Sequence, residues 1–167
     1  MAKLDEANIK KDRLRFTKNK FSANMIILAI VANALYFVNI YRSDVGNYYY
    51  RVLIGASIVY NLVFMLAAFL SSEGIKNYKL GYGIVSIVLG AIQVGRIFYL
   101  PLKAYRAANP VVGAKTATVM TKGQFTYAAV CLCISAGLLV LAGVMGIIKT
   151  RTLNSYCAEL EKDAKRN

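Results

Sequence analysis

QFTYAAVCLCISAGLLVLAGVMGII, residues Gln124–Ile148, is an apolar run without a single charged side chain. A bilayer's hydrocarbon core is about 30 Å thick, so a helical crossing needs about 20 mostly apolar residues at 1.5 Å each. Three more stretches upstream meet or nearly meet the same requirement: Ala23–Tyr41, Val52–Ser71 and Leu80–Leu100. A mean hydropathy of +0.47 agrees. The reading is an all-α integral membrane protein, a four-transmembrane-helix bundle. With 167 residues and only short segments outside the spans, the chain forms a single membrane domain. The first 22 residues are polar and basic and the apolar run behind them is too long for a signal-peptide core, so the first span is read as retained.

The formal charge of +13 resembles a nucleic-acid footprint until its distribution is followed. Lys3, Lys10, Lys11, Arg13, Arg15, Lys18 and Lys20 precede the first span. Lys76 and Lys79 lie between the second and third, and Lys149, Arg151, Lys162, Lys165 and Arg166 follow the fourth. The opposite side holds only Arg42, Arg51, Lys103, Arg106, Lys115 and Lys122. Positive charge collects on the cytoplasmic side. Both termini are therefore expected in the cytoplasm, the chain being a multi-pass protein of the cytoplasmic (plasma) membrane, and no nucleic-acid partner is expected. The loops at 42–51 and 101–123 face outward in this reading, although the second is more basic than the rule favours.

Residues 1–22 read as a basic, weakly amphipathic helix leading into the first span. Lys10, Lys11, Arg13, Arg15, Lys18 and Lys20 are assigned to anionic lipid headgroups, each contributing about 1 kcal/mol near such a surface. An acidic face on a partner is the competing target. Tyr48, Tyr49 and Tyr50 fit an interfacial aromatic belt, with a sugar-stacking surface as the alternative. Pro101 and Pro110 are expected to end helical structure. The β-branched stretch that follows suggests a small extracellular hairpin at 110–123. Beyond Ile148 the fourth helix is expected to continue as a cytoplasmic tail over 149–167. Leu153, Tyr156, Cys157, Leu160 and Ala164 would form its one apolar stripe.

Within the spans the polar residues are Asn33, Asn61, Gln93 and Arg96. Counting rise per residue puts the three amides at one depth near the midplane. There they can hydrogen-bond between helices at about 0.6–2 kcal/mol each, or line a polar pathway. Arg96 lies about one turn inside the outer end of its span. It is expected either to snorkel outward or to find a partner, Asp44 being the acid available on that side, with another protein's carboxylate or an anionic solute as alternatives. Ser86, Gly90, Ala91, Gly95, Ala142 and Gly146 are small residues at four-residue spacing. They permit close helix approach, and their abundance suggests contact with another chain.

The chemistry that does not appear narrows the function. The chain has no histidine, and no Asp or Glu falls inside a span, which removes the usual proton relay. Small multidrug transporters also have four helices, but their membrane-embedded glutamate in the first helix has no counterpart beyond Asn33. Cys131 and Cys133 are two apart on different helix faces and Cys157 lies in the tail, a poor basis for a disulfide or a metal site. No catalytic residue, metal or cofactor is expected, and the chain is not read as an enzyme.

The segments Phe21-Ser22-Ala23-Asn24, Tyr41-Arg42-Ser43-Asp44-Val45-Gly46 and Ile54–Lys79 with Leu70-Ser71-Ser72-Glu73-Gly74, together with the third span, carry a resemblance. They make about two thirds of the chain similar to small four-span membrane proteins of Gram-positive bacteria. The resemblance implies the fold and the company of carbohydrate importers. It transfers no functional residue, since none of these segments is a motif with known chemistry.

The leading expectation is a non-enzymatic accessory or scaffold subunit of a larger membrane transport complex, its partner another membrane subunit such as a transporter permease. A small homo-oligomeric channel or solute facilitator is the first alternative. A membrane recruiter, holding a soluble partner through the basic N-terminal arm, is the second.

Overall fold

The computed structural model describes residues 18–41, 48–106 and 120–166. They form four helices: α1 (Lys20–Tyr41), α2 (Tyr48–Lys76), α3 (Leu80–Arg106) and α4 (Lys122–Arg166). Each is long and apolar enough to cross a membrane. Among the described residues no strand occurs; the hairpin expected at 110–123 lies outside them apart from its last four residues. The basic residues Lys10, Lys11, Arg13 and Arg15 also lie outside the description, as do Arg42 and Asp44.

Each helix packs on its neighbours in chain order, and α4 returns to α1, so α1 and α3 face each other diagonally, as do α2 and α4. The closest seams are those of α4 with α3 and α1; α2 is seated more lightly. Most large apolar side chains point outward, among them Leu28, Val59, Leu62, Leu66, Phe98 and Ile134. The interior instead is rich in small and polar residues such as Ala29, Ala68, Ser86, Ser135 and Ala142. That inversion suits a bundle whose outer surroundings are apolar, where helices associate through close packing and hydrogen bonds.

Three serines join helices through backbone carbonyls. Ser72 Oγ donates to Ala23 O at 3.1 Å, Ser86 Oγ to Leu139 O at 2.9 Å, and Ser135 Oγ to Ala29 O at 2.9 Å. The ends are equally well determined. Asn19 caps α1, its Oδ1 accepting from Ser22 N at 3.4 Å and from Lys149 Nζ at 3.2 Å, while its own N–H donates to Lys76 O at 3.1 Å. The chain at Lys18 and Asn19 is not helical, so the single helix expected over residues 1–22 is broken at that point. At the start of α4, Thr121 and Gln124 form a reciprocal capping box, with bonds of 2.9 and 3.2 Å.

Between α2 and α3 the turn is three residues long. Lys79 N bonds Gly74 O at 3.0 Å and Tyr78 N bonds Ile75 O at 3.1 Å, the paired bonds of a Schellman motif. Tyr78 takes the left-handed position at φ 56°. Gly74 must stay bare there, because a Cβ would fall on the Tyr82 ring, with Tyr82 Cβ itself only 2.7 Å away, so ring rotation brings no relief. Gly74→Ala is expected to lower stability by about 1–3 kcal/mol. In thermal unfolding in mild detergent, Gly74→Ala with Tyr82→Ala should lose less than the two single changes summed.

One expectation is corrected by the path of α3. Pro101 does not end the helix, which continues to Arg106. A proline inside a helix removes one hydrogen bond and costs about 3 kcal/mol in isolation. Here Leu100, Pro101 and Ala104 are buried and extend the inward stripe of Gly83, Ser86, Gly90, Gln93 and Arg96. Tertiary packing at that stripe outweighs the lost bond, as it commonly does when neighbouring helices enclose a proline.

Candidate functional site

Helical spacing gives each of three helices a polar face at the same level. Asn33 and Tyr36 stand three apart on α1, Ser57 with Tyr60 and Asn61 on α2, and Gln93 with Arg96 on α3. All point inward, and the structure brings the four sequence-selected polar residues together. Asn33 is the hub. Its Nδ2 donates to Asn61 Oδ1 at 3.0 Å, and its Oδ1 accepts from Gln93 Nε2 at 2.9 Å and from Arg96 Nη1 at 3.1 Å. Gln93 also reaches Ser135 Oγ on α4 at 3.4 Å, so every helix contributes to the cluster. The bonds from Gln93 and Arg96 to Asn33 cross the α1–α3 diagonal, which only long side chains can bridge.

Arg96 neither snorkels outward nor extends along its own helix. It is 8% exposed. Its Nη2 donates to Ser57 Oγ at 3.1 Å, and its guanidinium carbon sits 4.6 Å from the Tyr36 ring centroid and 4.5 Å from that of Tyr60. Two aromatic faces and three neutral oxygens therefore surround a full positive charge. The Asp44 considered as its partner lies outside the described residues. Among those described, the ion pair is Lys76 with Glu73, at the far end of α2. Among the described residues Arg96 thus has solvation without a countercharge. Two neighbouring polar atoms, Tyr36 Oη and Asn61 Nδ2, are buried with no hydrogen-bond partner.

Beside the guanidinium a cavity of about 470 Å³ opens sideways between α2 and α3, lined by Ser57, Tyr60, Ile92, Gly95, Arg96 and Tyr99 together with Ala56 and Leu100. Light seating of α2 leaves this gap, and small residues on both lips, Ala56 and Gly95, keep it open. Tyr36, Ser57 and Tyr60 were not singled out from the sequence, where tyrosine reads as an interfacial residue. The available signal was helical spacing: Tyr36 lies three residues from Asn33, and Ser57 lies three from Tyr60 and four from Asn61.

The small residues divide. Ser86 and Gly90 face α4: a Cβ on Gly90 would meet Val140 Cγ2 at 2.8 Å and Ala136 O at 3.1 Å. Ala142 is buried, and a Cβ on Gly146 would meet Ile75 at 3.0 Å. These four serve packing within the chain, the first of the two roles, helix packing or a partner face, open to them from the sequence. Ala91 and Gly95 do face outward, and Gly95 has nothing within 4 Å of an added Cβ. Lys18 and Lys20 are exposed beside Phe21, Tyr78, Lys149 and Tyr156, which line a second cavity of about 490 Å³ at the opposite end of the bundle. Of the cysteines, Cys131 is buried, Cys133 is exposed and Cys157 is half-buried; all three are free.

No protein-family model, no curated protein and no solved structure matches the chain, so the chemistry of the cluster rests on its own geometry.

Proposed function

We propose that the chain is a multi-pass subunit of the cytoplasmic membrane, non-enzymatic, that acts as an accessory or scaffold within a larger membrane complex of the transport kind. The observation that carries this reading is the length of α4. Its 45 residues span about 68 Å, whereas α1, α2 and α3 have 22, 29 and 27 residues, or about 33–44 Å. The two ends of the bundle are marked along α4 by Gln124, whose carbonyl accepts from Asn39 at 2.7 Å, and by Lys149 at Asn19. Past Tyr156, which still lines the cavity with Phe21 and Tyr78, the helix runs on with Ala158, Glu159, Glu161, Lys162, Ala164 and Lys165 exposed. A helix carried out of the bundle and rich in charges of both signs suits a docking arm.

The polar cluster weighs against the channel alternative, because Asn33, Asn61 and Gln93 direct their hydrogen bonds at one another and at Arg96 rather than along a path. The docking reading is tested by removing residues 157–167 and purifying full-length and shortened chains from membranes in mild detergent. Co-purification of a stoichiometric membrane partner with the full chain, reduced at least tenfold by the truncation, is the expected result. Retention of the same partner at the same stoichiometry by the shortened chain would remove the arm from the proposal.

A further inference from the structure

The cavity between α2 and α3 contains one charge and mostly apolar walls, and those two properties together define an occupant. The charge is Arg96. It is more than nine-tenths buried, it lines the cavity, and among the described residues the groups that hold it are neutral. In surroundings of low dielectric constant an uncompensated cation is costly, and an anion brought close to it is attracted far more strongly than in water. The walls are Ala56, Ile92, Gly95 and Leu100 with the rings of Tyr60 and Tyr99. At about 470 Å³ the space lies within the range of small-molecule sites and equals about 16 water molecules at liquid density. A bare inorganic ion would leave most of it empty.

The approach is also marked. Lys103 stands seven residues, two helical turns, beyond Arg96 on α3, its Nζ 4.6 Å from the ring of Tyr99, which lines the mouth. An anion arriving from that end of the bundle therefore meets an exposed cation first and the buried one about 10 Å further along. The mouth itself opens sideways, toward the outer apolar surface where Ile92, Phe98 and Val59 are exposed.

We propose that this cleft is a binding site for an anionic amphiphile, whose carboxylate or phosphate head is held by Arg96 and Ser57 and whose acyl chain leaves past Ile92 and Gly95. The Arg96 guanidinium is preorganised for the task. The Tyr36 and Tyr60 rings lie 4.6 and 4.5 Å from its carbon, and Asn33 and Gln93 hold Nη1, so little side-chain freedom remains to be lost when the head arrives. Ser57, half-buried on the opposite lip, can donate its hydroxyl hydrogen to the head while its oxygen still accepts from Nη2. The site is independent of the docking arm on α4 and stands or falls separately from it.

The test uses purified full-length protein in an uncharged detergent, titrated with laurate, dodecyl phosphate or the neutral dodecanol and followed by native mass spectrometry. One equivalent of an anionic amphiphile is expected to bind, at least tenfold more tightly than dodecanol. Preference for laurate identifies a free fatty acid as the natural class, and preference for dodecyl phosphate identifies a phospholipid head. Arg96→Gln should weaken binding at least tenfold. Gly95→Leu should do the same with the charge intact, by filling the mouth at a position where an added side chain meets nothing. Lys79→Gln, an exposed cation in the turn between α2 and α3 at the opposite end of the bundle, should change nothing. Protection of buried Cys131 from alkylation, with Cys133 and Cys157 replaced by Ser, shows that each variant is folded. Equal binding of dodecanol, retained binding in both the Arg96→Gln and Gly95→Leu proteins, or no binding to the unaltered chain overturns the proposal.

Discussion

Gly143→Leu is expected to lower the stability of the bundle by at least about 3 kcal/mol, the upper end of what overpacking a tight interior costs. A Cβ at Gly143 would lie 2.7 Å from Gly83 O, 2.7 Å from Ile87 Cγ1 and 3.2 Å from Ile87 N. Two of these three atoms are backbone and cannot rotate away. The approach is mutual, since a Cβ on Gly83 would meet Gly143 O at 3.2 Å and Ile147 Cγ1 at 2.7 Å. Relief would require separating α3 from α4 along their whole seam, which would also stretch the Ser86 Oγ to Leu139 O bond one turn away. The control lies on the same helix. Gly137 has nothing within 4 Å of an added Cβ, and replacing a helical glycine gains up to about 1 kcal/mol of helix propensity, so Gly137→Leu should be neutral or slightly stabilising. Thermal unfolding in mild detergent, with alkylation of Cys131 as the readout of opening, separates the two. Equal behaviour of the two variants would show that the α3–α4 crossing yields more easily than its backbone contacts imply.

The contrast between those glycines shows where sequence reading reaches its limit. Hydropathy and length found four helices, because an apolar run of 20 residues has few other uses. Helical rise is nearly constant, so counting residues put Asn33, Asn61 and Gln93 at one level, and in the structure they meet. Rotation about the helix axis was less accessible. All four helices are apolar around most of their circumference, which left the inward side of Gly90 indistinguishable from the outward side of Gly95. Small residues at four-residue spacing therefore looked like one class, whereas four serve the bundle and two face outward. Pro101 was misread for a related reason: its local cost is fixed by the backbone, but the packing of Leu100 and Ala104 that outweighs it is tertiary. For Arg96 the sequence offered acids as partners, and the chain supplied two tyrosine rings, which are poor in charge but rich in π density.

Asn33→Leu is the second large effect, because one side chain carries three interhelical bonds. Without it Asn61 Oδ1 loses its donor, Gln93 Nε2 keeps only the 3.4 Å contact to Ser135, and Arg96 Nη1 keeps only the 3.5 Å contact to Gln93 Oε1. An unsatisfied buried amide costs about 1–3 kcal/mol, and losing a hydrogen bond to a charged group about 1.5–3 kcal/mol. Hydrogen bonds between helices in apolar surroundings have smaller averages, and some solvation of Arg96 by Ser57 and the tyrosine rings remains. A loss of about 3 kcal/mol is therefore expected for the single change. The charge is what makes it large, and that gives the decisive comparison. Arg96→Met removes the group that most needs Asn33, so Asn33→Leu in that background should cost at least about 1 kcal/mol less than it does in the unaltered chain. Strict additivity in a double-mutant cycle, read from unfolding in a graded series of denaturing detergent, would mean that Asn33 and Arg96 are not energetically joined. The guanidinium would then owe its inward position to Tyr36, Tyr60 and Ser57, and the bond at 3.1 Å would be a consequence of that position rather than its cause.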